Sequence, residues 1–366
     1  MSLHRALAPA HSALLPAVPP FSLAASLAAM SGFRPSAGDQ LIMSDRLRKG
    51  LAHPDEPGEA VVVEVAPRPD AAPGVRLEVF AASPLSAAGA AAVERWVRGW
   101  LSLDDDMRPV LELASDDPPV AALLPLVHGL HQVRFGSLAE GTAYFALTQR
   151  STQWFAAARK RRLAERFGAR AELDGAVHVA FPPLATLAAA DGDELLAVAG
   201  NAPRAKRLSE VIAGVAALDE QWLRTGPYPE VRAALLDVRG VGPFTAHGIL
   251  LRVLGRPDDA PLELPQFTEQ IARVYDPAPP PEPAELRDRY GPYVGWWAYL
   301  TRVALGYRTA AGSATTSASN SGSAATSASQ RSSVRTPQPV APLTSSPSDL
   351  SDQAGADMSR WAQRSR

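Results

Sequence analysis

The segment Leu235-Leu-Asp-Val-Arg-Gly-Val-Gly-Pro-Phe-Thr-Ala-His-Gly-Ile-Leu-Leu-Arg-Val-Leu-Gly-Arg256 decides how the chain is read. Two glycines, Gly240 and Gly242, separate a short apolar helix end from a long apolar helix start. Glycine adopts positive φ and lets a backbone pass close to a partner, so this spacing predicts a tight hairpin between two helices. The second helix opens with N–H groups that lack intrahelical acceptors and with the positive end of its dipole. Such an end suits the phosphate of a nucleic acid. Backbone N–H groups at Gly240, Val241 and Gly242 are the expected phosphate donors. Arg239, Thr245 and His247 flank them as further expected contacts.

Composition limits the alternatives. At 366 residues and 46% hydrophobic, the chain is long enough for two cores and additional tails. A formal charge of −2 argues against binding a polyanion by bulk attraction, so basic groups must be placed locally. The absence of cysteine removes disulfides, thiolate zinc sites and iron–sulfur clusters together. The seven histidines show no metal-ligand spacing, so no metal or other cofactor is expected. The apolar N-terminus is interrupted by prolines, and no stretch reaches the length of a membrane span. A monomer in the cytoplasm, associated with the nucleoid, is expected.

Along the chain, residues 1–17 read as a disordered start. Residues 18–113 read as an α+β domain with a small antiparallel sheet. Leu23, Leu27 and Met30 have helical spacing, and the runs 60–66 and 75–80 are strand-like. Residues 86–100 form an amphipathic helix with Val93, Trp96, Val97 and Trp100 on one face. Residues 114–308 read as an all-helical domain that carries the hairpin, with Ser137 and Glu140 as a capping box. Residues 309–366, rich in Ser, Ala and Thr, read as a disordered tail. The basic run Arg159-Lys-Arg-Arg162 reads as a solvated helix face.

Several pieces occur in an order that resembles the DNA glycosylases of the endonuclease III superfamily, and within it 3-methyladenine DNA glycosylase II. They are Pro20-Phe-Ser-Leu23, Leu103-Asp-Asp-Asp106, Gly129-Leu-His131, Phe145-Ala-Leu-Thr-Gln149, Asn201-Ala-Pro-Arg-Ala-Lys206, the hairpin, and Gly291-Pro-Tyr-Val-Gly-Trp-Trp-Ala298. The resemblance spans roughly residues 18–307. It implies cleavage of the N-glycosidic bond of a damaged base flipped out of double-stranded DNA. It also implies a monovalent cation at the hairpin carbonyls.

Base departure builds positive charge on the sugar, which a nearby carboxylate stabilises. The family places an Asp after the helix that follows the hairpin. In this chain Pro261-Leu-Glu-Leu-Pro265 puts Glu263 there, whereas anchoring on Leu264-Pro265 puts Gln266 or Phe267 there and leaves no carboxylate. Strand-nicking members carry a nucleophilic Lys where this chain has Phe244, so the resemblance implies a monofunctional enzyme. Phe244 can stack on a flipped base. Tyr293 and Gln149 match a pocket aromatic and a DNA-facing turn. Arg134 and Phe135 lie where a wedge residue fills the gap left by the base. Gly248 replaces an aromatic and implies a roomier pocket. Two rival readings remain: a DNA- or lesion-binding protein without catalysis, and an unrelated helical protein that uses the hairpin to bind a partner.

Overall fold

The computed structural model describes residues 6–324, with side chains through residue 310. Strands β1 (Ala8–Pro16), β2 (Gln40–Ile42), β3 (Leu47–Ala52), β4 (Ala60–Pro67) and β5 (Gly74–Ala81) form an antiparallel sheet in the order β1-β5-β4-β3-β2. In the central register Val63 faces Lys49 on β3 and Val79 on β5. Alternate side chains of a strand point to opposite faces. One face therefore presents Val61, Val63, Val65, Leu77 and Val79, which helices Leu23–Ser31 and Ala87–Leu101 cover with Leu27, Met30, Val93, Val97 and Trp100.

The opposite face is closed by a hairpin, β6 (Arg170–Leu173) and β7 (Ala176–Val179), which departs from the all-helical reading of residues 114–308. Gly50 on β3 permits this approach, because a Cβ there would lie 3.0 Å from the main-chain carbon of Val179. Arg48 joins the two layers, donating to Glu64 at 2.7 Å and to Asp174 at 2.8 Å.

The disordered start expected over residues 1–17 is corrected by β1 for residues 8–16, and residues 1–5 lie outside the described residues. Leu15 is buried against the sheet core, and the prolines sit where a strand tolerates them: Pro9 beside a register shift, Pro16 at the end of an edge strand. The boundary expected at residue 113 lies earlier. Val110 and Ala114 of helix Arg108–Ser115 already pack with Tyr290 and Trp297 in the helical part. Helix Val294–Ala324 runs past Thr309, where disorder was expected, and the remainder of the expected tail, 325–366, lies outside the described residues.

The helical part contains two cores. One unites helices Leu138–Thr148, Gln153–Phe167, Ala202–Ala216, Tyr228–Asp237 and Pro243–Ile249. The other unites Arg108–Ser115, Pro265–Tyr275, Pro283–Tyr290 and the described start of Val294–Ala324. The hairpin's second helix continues into a wider π-type turn, Leu250–Leu254. That turn sends Leu250 and Val253 into the first core and Leu251 into the second.

A buried ionic cluster ties the sheet unit to the first core. Lys160 donates to Glu140 at 2.7 Å and also bonds Asp39, while Lys49 of β3 lies 3.5 Å from the second Glu140 oxygen. The capping expectation holds in a shifted form: Glu140 N–H donates to Ser137 Oγ, and the Glu140 carboxylate accepts from Gly136 N–H. The basic run at 159–162 is therefore not a uniformly solvated face. Lys160 points inward, and Arg159 lies over the Phe155 ring.

Candidate functional site

The hairpin forms as expected. Helix Tyr228–Asp237 ends at Val238, whose carbonyl accepts from Val241 N–H, and Gly240 takes the left-handed conformation at φ 88°. Gly242 is extended, and a Cβ there would meet nothing within 4 Å, so its backbone borders open space. Arg239 is exposed, 3.3 Å from Glu210. These residues can grip a phosphate. Of the hairpin carbonyls expected to hold a cation, Val238 accepts from Val241, Gly240 from Gln149 and Gly242 from Ala246.

Thr245 and His247 do not belong to that exposed surface, which corrects their expected role. The helix turns Thr245 inward, where its hydroxyl lies 3.3 Å from Gln149 Nε2, and turns His247 into a cavity.

This cavity, of about 1110 Å³, lies between the two helical cores. Phe244, Phe145 and Tyr144 form one wall, and Phe267, Tyr299 and Tyr307 form the other. Phe244 is half-buried and meets Phe145 edge-on at 6.1 Å, leaving it able to pack against a planar guest. The roomier pocket expected from Gly248 is not found: a Cβ there would lie 2.4 Å from the Phe145 ring, so Phe145 occupies that space. Gln149 stands at the cavity edge and donates to Gly240 O at 2.7 Å, binding the cavity rim to the hairpin turn.

Other expected site residues are placed elsewhere. Tyr293 stacks on Trp296 at 5.7 Å, outside the cavity lining, and Tyr299 and Tyr307 supply the tyrosines there. Phe135 is buried among Phe33, Tyr144 and Phe145, where it cannot enter a duplex. Arg134 pairs with Asp105 at 2.5 Å and packs over Gly255. The exposed rim residue is instead Arg150, held at φ 54° in the turn after helix Leu138–Thr148. The signal that could have found it was the end of the helical pattern at Gln149.

Glu263 also lies outside the cavity. Leu262 is fully buried, so its neighbour points the other way. The Glu263 side chain is 62% exposed and receives a two-pronged bond from Arg287, at 2.5 and 3.0 Å. That guanidinium holds its carboxyl below the usual carboxylate range. Gln266 and Phe267, the residues of the alternative register, line the cavity. Among the described lining residues there is no Asp or Glu.

The cations are distinctive. Arg252 lies between the Phe33 and Tyr299 rings, 4.3 and 5.0 Å from their centroids, and donates to Val133 O at 3.0 Å. Arg302 lies over Phe267 at 5.3 Å and donates to Gln270 at 2.6 Å. Burial, then the charge of Arg302, pushes His247 down to about 3, so its ring is neutral near pH 7.

A sheet unit is joined to two helical cores, with a glycine hairpin beside an aromatic cavity. The chain is 25% identical over 215 residues to a DNA-3-methyladenine glycosylase of Bacillus subtilis (strain 168), covering 57% of this chain and 70% of that protein. Its fold is similar to that of a 3-methyladenine DNA glycosylase from Archaeoglobus fulgidus, with a TM-score of 0.64, 18% identity, and 81% and 98% of the two chains covered. It is also similar to the 8-oxoguanine glycosylase/lyase of Clostridium acetobutylicum, with a TM-score of 0.58, 18% identity, and 81% and 97% covered. No family model matches the chain. In fold and in sequence the chain is thus similar to DNA glycosylases of the helix-hairpin-helix type.

Proposed function

We propose that this chain is a monofunctional DNA glycosylase that holds a damaged purine, turned out of double-stranded DNA, in the aromatic cavity. The observation that carries the reading is the cavity itself, set directly against the hairpin through Gln149 and walled by Phe244, Phe145, Phe267 and Tyr299. A base removed from the stack loses its neighbours, and aromatic walls replace them. Arg239 and the backbone of Gly240 and Gly242 would take phosphates. Arg150 on the rim would reach the vacated stack, in place of the buried Phe135. The B. subtilis relative, named as a 3-methyladenine glycosylase, supports the reaction class.

The lysines support cleavage without strand nicking. The chain has three, of which Lys49 and Lys160 are engaged with Glu140 and Lys206 lies exposed on helix Ala202–Ala216. Phe244 in the hairpin offers no amine for a Schiff base.

The test is incubation with duplexes carrying single 3-methyladenine, 7-methylguanine, hypoxanthine or 1,N6-ethenoadenine residues, followed by alkali. Strand breaks that need alkali are expected, and no breakage on any lesion would overturn the reading. One observation favours a second reading, a lesion-binding protein without excision: the described lining carries no carboxylate. Binding of a lesion duplex with no cleavage would select it.

A further inference from the structure

The cavity's charge is opposite to what a cationic guest needs. Arg150, Arg252 and Arg302 line it, no Asp or Glu is among the described lining residues, and Glu269, outside the lining, offsets Arg302 less than burial and Arg252 oppose it. Arg252 and Arg302 approach through aromatic rings, away from bulk water, where a charge is felt strongly. Several buried polar atoms of lining residues have no partner among the described residues. Arg252 Nε and the Tyr307 hydroxyl are donors of this kind, and Ser151 Oγ, nearer the rim, is a third. Unpaired buried donors call for acceptor atoms on whatever fills the space.

We infer that the cavity selects a neutral or anionic oxopurine, whose carbonyl oxygens and ring nitrogens meet Arg252, Arg302 and Tyr307, over a cationic N-alkylpurine. This rests on the glycosylase reading for its chemistry but not for its binding preference. A base made cationic by alkylation is repelled by two desolvated guanidinium groups. An oxopurine offers them acceptors and brings no positive charge.

The same groups supply a means of cleavage without a protein carboxylate in the cavity. When the C1′–N9 bond breaks, its electron pair stays on N9, and the purine leaves as an anion delocalised onto its oxygens and ring nitrogens. The guanidinium N–H groups stabilise that charge as it develops. Solvent water adds to C1′ and loses a proton to solvent, and the departed purine takes up a proton. The products are an abasic site and the neutral base. His247, neutral near pH 7, is not a proton donor to the leaving base.

The test compares three duplexes of one sequence carrying xanthine, hypoxanthine or 7-methylguanine on 2′-fluoro sugars, which resist cleavage. Binding is followed by fluorescence anisotropy, and cleavage is measured in parallel on the ordinary sugars. Xanthine, which ionises near neutral pH, is expected to bind about tenfold tighter than 7-methylguanine, the scale of one hydrogen bond to a charged group. Its affinity should rise as pH carries it to the anion, while that of hypoxanthine stays level. Arg302→Met should reduce the preference to about twofold or less, and Arg302→Lys should retain most of it. Circular dichroism melts establish that each variant folds. If Arg302→Met does not fold, the wild-type ordering and its pH dependence decide alone. Equal or tighter binding of the 7-methylguanine duplex would overturn the inference. Absence of cleavage on all three ordinary duplexes and on the 3-methyladenine and 1,N6-ethenoadenine duplexes would overturn the glycosylase reading and leave the binding preference standing.

Discussion

Replacing Glu140 by Gln tests the buried ionic cluster that joins the sheet unit to the helices. The wild-type carboxylate accepts from Lys160 at 2.7 Å and from Gly136 N–H at 3.2 Å, with Lys49 at 3.5 Å. Burial alone would raise its pKa, but the two lysines more than offset this and bring it from 4.5 to about 2. A carboxyl whose pKa is depressed in the folded protein stabilises it while ionised, so Glu140 contributes stability near pH 7. Gln keeps the volume but leaves two buried ammonium groups against a single carboxylate, Asp39, and breaking such a cluster costs about 3–5 kcal/mol. Urea unfolding at a series of pH values measures the gap between wild type and variant. Because the folded-state pKa is depressed, the contribution is complete above the unfolded-state value of 4.5. It is lost as pH falls toward about 2, so the gap should be largest near neutral pH and narrow in acid. A loss below about 1 kcal/mol at about pH 7, or a gap that does not change between about pH 6 and pH 3, would refute this account of the cluster.

Three further substitutions probe the site. Phe244→Ala should weaken binding of a lesion duplex by about tenfold or more, since stacking a base on an aromatic ring is worth about 1–3 kcal/mol, with little change on undamaged duplex. Equal weakening on both would remove Phe244 from the base-holding wall. Gly248→Ala drives a Cβ to within 2.4 Å of the Phe145 ring, and thermal melts should show a loss of about 1–3 kcal/mol from overpacking. A variant as stable as wild type would mean that Phe145 yields without cost. Glu263→Gln should cost at most about 1 kcal/mol in stability and leave cleavage of any substrate within about twofold, because the Arg287 pair is largely solvated. Abolished cleavage in a folded Glu263→Gln protein would return Glu263 to the reaction centre.

Local signals in the sequence carried much of the fold, and side-chain direction accounts for most of the rest. The hairpin was legible because positive φ at Gly240 leaves a residue-level mark, and the two central strands because β-branched residues cluster there. The hairpin at 170–179 was also marked, by Asp174-Gly175 with both residues at positive φ, but a short polar strand pair is easily absorbed into a helical reading. β1 was hidden by prolines that disfavour a central strand but not an edge one. At the site, spacing located the right segments and assigned the wrong faces. Glu263 and Gln266 are three residues apart, and only the burial of Leu262 and the start of helix Pro265–Tyr275 decide which of them meets the cavity. Phe145 filling the space beside Gly248 is a tertiary fact that no local pattern contains.

The hairpin and the cavity are better understood as one device than as two adjacent ones. Gln149 ends helix Leu138–Thr148, lines the cavity and donates to the carbonyl of Gly240, the one hairpin residue held at positive φ. Phe244 begins the helix whose preceding turn would hold phosphate, and its ring forms a cavity wall. The backbone of Gly240 and Gly242 is therefore tied to the cavity with no flexible linker between them, and a phosphate taken there, as proposed, would lie at a fixed distance from the space for a base. Fixing position in this way is the principal resource of a site whose described lining offers no carboxylate to the sugar. It makes the departing base, and the guanidinium groups that face it, the natural place for selectivity to be set.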